Sequence, residues 1–263
     1  MADPAIITLT TDFGVGSPYV GAMKASVLAV NPGATVVDVC HTVPPQDVAA
    51  GARVLESVTP GFPAGSIHVA VVDPGVGTTR AIVYAEIGGQ RYVCPDNGLL
   101  SWLAERAGAT RITRVAEERF FRHPVSATFH GRDIMAPVAG HLSLGVPPEQ
   151  LGPPHGALVT IERPRAVRMG NRITGRVTHV DSFGNLITDI TAEQLEGIPR
   201  DESLTVHCDG HETQGIFTTY GEQPPMTLVA LLGSDALLEL AIVDDSAAIM
   251  LGVTAGAAVE VSW

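Results

Sequence analysis

The chain has 263 residues, 45% of them hydrophobic, enough to bury a sizeable core in one large domain or two smaller ones. Its net charge of −12 and its single lysine, Lys24, argue against a nucleic-acid surface, which needs clustered cations. No run approaches the ~18 consecutive apolar residues of a membrane helix, so no membrane partner is expected. The opening residues Met1-Ala2-Asp3-Pro4 lack the charged-then-apolar pattern of a signal peptide, which predicts a cytoplasmic protein. Cys40, Cys94 and Cys208 are odd in number and far apart, and read as buried thiols.

In chain order, Ala5 to Thr10 is a β-branched run that ends at Thr11-Asp12-Phe13-Gly14. Apolar residues from Tyr19 to Val30 then recur at helical spacing until Asn31-Pro32-Gly33 stops them. A second strand is predicted over Ala34–Cys40, a helix from about Gln46 to Val58, and a third strand over Ile67–Val72. This alternation predicts a parallel, Rossmann-like α/β sheet with right-handed crossovers. Strands at Ala81–Ile87 and Arg91–Cys94 flank the hairpin signal Gly88-Gly89, and helices are predicted at Leu99–Ala107 and Ile134–Leu144.

Pro147-Pro148 and Gly152-Pro153-Pro154 mark the approach to a boundary. Beyond Pro164, short β-rich runs at Ile173–Val180, Leu186–Ile190, Ser203–Cys208, Gly215–Thr219, Thr227–Leu232 and Ala258–Val261 alternate with turn residues, the pattern of an all-β barrel or sandwich. Charge shifts at the same place: residues 1–165 carry 12 cationic and 14 anionic side chains, residues 166–263 carry 4 and 14. We therefore expect an N-terminal α/β domain over 1–165 and a C-terminal β-barrel over 166–263.

Four loops gather the polar residues. Asp73-Pro74-Gly75-Val76-Gly77, followed by Arg80, stands at the mouth of the third strand, where open α/β sheets collect ligands; the alternative is a tight turn capped by Asp73. Asp12 can accept two ribose hydroxyls or can be a helix N-cap. The kinase-like letters Asp12-Phe13-Gly14 have no accompanying catalytic loop, and Gly14-x-Gly16 lacks the third glycine of a dinucleotide fingerprint, since position 19 is Tyr. His130, in Phe129-His130-Gly131-Arg132-Asp133, joins Asp73 and Arg80 only if the strand ends meet. The histidines show no metal-ligand spacing, and no metal site is predicted. Asp181-Ser182-Phe183-Gly184-Asn185 is either a β-turn or a hairpin tip whose Phe stacks on a planar heterocycle.

Taken together with Thr10-Thr11-Asp12-Phe13-Gly14 and Pro95-Asp96-Asn97-Gly98, these loops resemble the S-adenosylmethionine (SAM) hydroxide adenosyltransferases, long known as a domain of unknown function and related to fluorinase and chlorinase enzymes. The resemblance spans nearly the whole chain. It implies hydrolysis of SAM to adenosine and L-methionine, with SAM as small-molecule substrate, no cofactor and no metal. It also implies homotrimers with sites between the N-domain of one subunit and the C-domain of its neighbour. By the same likeness Asp73, Arg80 and His130 are catalytic, and Asp12, Phe129, Asp181, Phe183, Asn185 and Tyr220 bind substrate. In the halogenating relatives the positions of Asp73 and His130 look like tyrosines, so two polar groups here favour water over halide. A SAM-dependent halogenase and a non-catalytic SAM or adenosine sensor are the alternatives. Ala241-Ile242-Val243-Asp244-Asp245-Ser246-Ala247-Ala248 departs from the family's Asn- and Gly-containing segment, near the expected adenine contacts.

Overall fold

A computed structural model describes residues 5–263, so the signal-peptide reading of residues 1–4 falls outside it. The chain divides into two compact units, one ending at Glu162 and the other running from Arg163 to Trp263.

The first unit contains, in order, β1 (Ile6–Thr11), α1 (Pro18–Val30), β2 (Thr35–Cys40), α2 (Val48–Val58), β3 (Ile67–Val71), β4 (Ile82–Ile87), β5 (Gln90–Pro95), α3 (Ser101–Ala107), β6 (Ala109–Arg114) and α4 (Ala136–Ser143). Its sheet has the order β2-β1-β3-β5-β4-β6. Strand β3 is buried along its whole length because both faces are covered, which is why it is apolar except at His68, whose Nδ1 lies 2.8 Å from Thr8 Oγ1. Ile67, Val69 and Val71 join the core that contains Met23, Val27, Val138 and Leu142 of α1 and α4. Ala70 and Val72 point the other way, into the core with Leu55 of α2 and Leu103 of α3.

The sheet is mixed rather than wholly parallel. β2, β1, β3 and β5 run parallel, while β4 pairs antiparallel with both β5 and β6. The reason is local: Gly88 and Gly89 have φ of +59° and +80°, the two left-handed positions of a tight hairpin turn, so the chain reverses without a crossover. Strand β6, which the sequence pattern did not indicate, is an edge strand whose Arg111 and Arg114 are mostly solvent-facing.

The second unit is all-β apart from one short helix: β7 (Val167–Met169), β8 (Arg172–Val180), β9 (Leu186–Thr191), β10 (Thr205–Cys208), β11 (His211–Gln214), β12 (Leu228–Leu232), β13 (Leu237–Ile242), α5 (Ala247–Leu251) and β14 (Ala258–Ser262). The antiparallel order is β11-β10-β14-β8-β9-β13-β12, with β7 beside β8. The two ends of this sheet approach each other, since Thr213 Oγ1 of β11 donates to Leu228 O of β12 at 2.8 Å. That makes a nearly closed barrel. The strand expected at Gly215–Thr219 is displaced to β11; from that stretch Phe217 bridges to the sheet, its N–H reaching Ala230 O at 2.8 Å, and Ile216 packs into the barrel core. β13 escaped the sequence pattern because Leu-Leu-Glu-Leu-Ala is composed of helix formers, and its placement between β9 and β12 overrides that preference.

Candidate active site

The carboxyl ends of β2, β1, β3 and β5 line one edge of the first unit's sheet. Thr11 pairs with Val71, so Asp12 and Asp73 leave adjacent strands at the same edge. Asp73 does not cap its own turn. The turn is closed by backbone, Val76 N to Asp73 O at 3.2 Å and Thr78 N to Gly75 O at 3.2 Å. The Asp73 side chain turns instead to Arg80, which donates through Nε to Oδ1 at 2.8 Å and through Nη2 to Oδ2. This is a bidentate pair with the two side chains only 11% and 4% exposed.

Arg80 Nη2 also lies 2.9 Å from His130 Nδ1. A guanidinium has only donors, so Nδ1 must accept, and the neutral ring carries its proton on Nε2. Burial first, then the positive charge of Arg80, hold the His130 pKa below the ordinary imidazole value, against the opposing pull of Asp73 and Asp133. The structure thus brings together Asp73, Arg80 and His130, which lie 57 positions apart from first to last.

Two devices hold the His130 loop in place. Gly77, at φ +79°, sits where a Cβ would collide with Ala127 O, so the two loops meet backbone to backbone. Asp133, fully buried, accepts from Arg132 Nε at 2.6 Å, Arg132 Nη2 at 2.7 Å, Arg122 Nη1 at 2.8 Å and Ser126 N at 2.9 Å. Burial alone would raise its pKa, but these donors keep it below the usual carboxylate value. Asp133 was not among the site residues expected from sequence. The available signal was an acid directly after a cation, Arg132, at the head of an apolar helix. Gly131 to Met135 forms a π-helical turn there before α4 begins, with Gly131 seated against Val71 and Met23.

Asp12 is not a helix cap. Ser17 caps α1, accepting from Tyr19 N, and Asp12 Oδ2 accepts from Gln46 N at 2.8 Å. The loop that carries Asp12 is tied to β2: Gly14 N donates to His41 O at 2.7 Å, and His41 bridges Thr11 Oγ1 at 2.9 Å to Asp38 Oδ1 at 3.0 Å. Lys24 closes that chain on Asp38 at 2.6 Å. Phe129 packs edge-to-face with Phe13 and Tyr19, at centroid separations of 5.8 and 5.2 Å, and carries Arg132 at 4.8 Å from its ring.

The remaining expected residues belong to the second unit. Between β8 and β9, Asp181 Oδ1 accepts from Phe183 N at 2.9 Å and Asn185 N at 2.8 Å, and Oδ2 accepts from Asn185 Nδ2 at 3.0 Å. With Gly184 at φ +86°, this is the turn allowed for by the sequence. It leaves the Phe183 ring 79% exposed. Tyr220, on a short 3-10 turn, donates its hydroxyl to buried Glu239 of β13. Burial and the facing Tyr220, Asp181 and Asp235 act on Glu239, whose pKa is raised, chiefly by burial. Among the described residues, no three His, Cys, Asp or Glu side chains are arranged to hold a metal ion.

Family models match both units: the SAM hydroxide adenosyltransferase N-terminal domain over residues 7–152 and the C-terminal domain over residues 175–260. The chain belongs to this family. Among curated proteins, the (R)-S-adenosyl-L-methionine hydrolase of Salinispora arenicola is 39% identical over 259 residues, covering 97% of each chain. The protein of the same name from Thermus thermophilus is 40% identical over 253 residues, 94% of this chain and 95% of that one. Relatives named fluorinase match a smaller share of the chain. An uncharacterized conserved protein from Thermotoga maritima superposes with a TM-score of 0.92 at 32% identity, covering 98% of this chain and 100% of its own.

Proposed function

We propose that this chain hydrolyses SAM to adenosine and L-methionine by attack of water on ribose C5′. The observation that carries the reading is the bidentate Asp73–Arg80 pair with Arg80 donating to His130 Nδ1. The water oxygen forms the C5′–O bond as the C5′–S bond breaks, and the bonding pair stays on sulfur. The sulfonium becomes the neutral thioether of methionine, so the leaving group needs no acid. What remains is to orient a water and take its proton.

Arg80 cannot accept a proton, and His130, with Nε2 protonated, offers a donor there. Asp73 is the remaining acceptor, since a carboxylate has lone pairs beyond the two taken by Arg80. In this reading water donates to Asp73, accepts from His130 Nε2, and its proton passes by Asp73 to solvent. Arg80 fixes both partners, so the electrostatic arrangement is set before substrate arrives. Asp12 takes the ribose hydroxyls, and Phe183, Asn185, Asp181 and Tyr220 take adenine and methionine, with Phe129 bordering the centre.

The hydrolase relatives bear a name that specifies the R form, and we extend that restriction to the sulfonium centre here. SAM is the substrate, with no cofactor or metal, in a cytoplasmic homotrimer whose sites pair the N-domain of one subunit with the C-domain of the next. No helix among the described residues is long and apolar enough to cross a membrane.

The test is chromatography of nucleoside products from a mixture of both sulfonium epimers, with chelator, and with and without chloride or bromide. Adenosine formed from the R epimer alone, indifferent to chelator and halide, is the expected result. A 5′-halo-adenosine makes the chain a halogenase, binding without product makes it a sensor, and loss of activity in chelator makes it a metal enzyme. Mixing Asp73→Asn with Phe183→Ala chains and finding activity above either parent supports shared sites between subunits.

A further inference from the structure

The Pro95-Asp96-Asn97-Gly98 turn touches none of the groups assigned above, yet it follows β5, the strand between β3 and β4. β3 delivers Asp73, and β4 receives the chain after Arg80. The end of β5 therefore stands between the two shoulders of the 73–80 loop, and it holds both. Asn97 Nδ2 donates to Val72 O at 2.8 Å, one residue before Asp73. Asp96 N donates to Ala81 O at 2.9 Å, one residue after Arg80.

The turn is itself fixed from behind. Asp96, 7% exposed in its side chain, accepts from Val159 N at 2.8 Å and meets His155 Nε2 at 2.9 Å. The Ile161 side chain packs against Gly98, whose φ of +109° suits glycine. Cys94, fully buried just before the turn, feels the charges of Asp96, Asp73 and Arg80 at once, which puts all three around the end of this strand.

From this geometry we infer that Asn97 is a positioning residue for the reaction: its side-chain amide clamps the strand end that carries Asp73, and so sets the Asp73–Arg80–His130 alignment. The residue must be a donor. An aspartate of the same shape would face Val72 O with a second acceptor and lose the clamp. This rests on the reading of Asp73, Arg80 and His130 as the reacting groups.

The experiment compares Asn97→Ala and the isosteric Asn97→Asp with the unsubstituted protein, in an otherwise native background and in Arg80→Ala. Turnover per folded enzyme is expected to fall about 100-fold with KM changed less than about threefold, as misplacement by an ångström costs. In Arg80→Ala the further loss is expected to be under about threefold, because Asn97 acts through that pair.

Nitrogen NMR of His130 supplies a readout independent of activity. The native ring is expected as the Nε2–H tautomer, and the Asn97 variants should shift toward the mixed tautomers of a ring released from Arg80. Native turnover in both variants, equal losses in the two backgrounds, or an unchanged His130 tautomer would overturn the inference. If the chain proves not to hydrolyse SAM, the tautomer shift still decides whether Asn97 sets the alignment. If Asn97→Ala fails to fold, Asn97→Asp carries the same comparisons.

Discussion

The loops at 73–80 and 181–185 each place an aspartate at the end of a β-strand, and they use it in opposite ways. Asp181 turns inward on its own loop, accepting from Phe183 N, Asn185 N and Asn185 Nδ2, all within four residues. Asp73 accepts from a side chain seven residues away, which in turn reaches a histidine 50 residues beyond. The first arrangement is complete in a pentapeptide. The second exists only if β3, β4, the β5 turn and the 122–133 loop are all in place. A self-contained turn is suited to presenting a ring, whereas a charge group assembled over distance can be tuned by every element that supports it.

The sharpest way to separate the two loops is Asp73→Asn. The substitution keeps the shape, removes the proton acceptor and leaves Arg80 without its anion. Turnover, followed as adenosine release, is expected to fall by about 1,000-fold, within the range general base catalysis contributes. Calorimetric affinity for SAM should stay close to native. Retention of native turnover would remove Asp73 from the chemistry.

Gly77→Ala tests whether the long-range loop depends on its neighbour. Alanine at φ +79° is strained, and its Cβ would meet Ala127 O, so the 73–80 loop must withdraw from the His130 loop. Turnover should drop by up to about 100-fold, and unfolding should show a loss of about 1–3 kcal/mol. Gly184 is also left-handed, but its packing is against Ser246 of the same unit, so the equivalent change there should leave the first unit's triad untouched.

The pH profile gives a smaller effect with a defined sign. His130 has a pKa below the ordinary imidazole value, so it is neutral at pH 7 and able to accept from Arg80. Protonation places a hydrogen on Nδ1 and turns that contact into a clash of donors. Activity is therefore expected on the neutral side and lost as pH falls through the folded pKa, which lies below the ordinary imidazole value, up to about tenfold per unit. Stability follows the same direction: the unfolded chain binds this proton first, so the contribution of His130 is full above the unfolded value and declines on acidification. His130→Gln should flatten the acid limb in both measurements.

How far these features were legible in the sequence depends on the same distinction. The apolar run Ile67–Val72, broken by Asp-Pro-Gly, announced a buried strand with an acid at its mouth, and Gly88-Gly89 announced a hairpin. Because that hairpin reverses the chain, it also made the sheet mixed, a consequence the strand–helix alternation concealed. The Asp181 loop was readable as a turn because its bonds are local. Asp73 followed by Arg80 was legible as a candidate site at a strand mouth, whereas His130 beside Arg80 was identified through family resemblance, since no spacing encodes a meeting across 50 residues. Asp133 and Asn97 were not singled out because their partners, Arg122 and Val72 O among them, are chosen by the folded sheet. β13 was hidden by its helix-forming composition.

The smallest predicted effect belongs to the self-contained loop. Asp181→Ala removes three local hydrogen bonds; Phe183 N can turn to water at the exposed tip, while the donors of buried Asn185 lose their partner. A net loss near 1 kcal/mol is expected, with KM raised and turnover at saturation unchanged, because Phe183 is no longer held while the Asp73 group is intact. Phe183→Ala should raise KM about tenfold by removing a stacking surface, without moving the unfolding transition, since a ring 79% exposed contributes little to folding. If Asp181→Ala instead lowered saturated turnover as Asp73→Asn does, the Asp181 loop would have to act on the reacting atoms themselves, and the division between a presenting turn and an assembled charge group would fail.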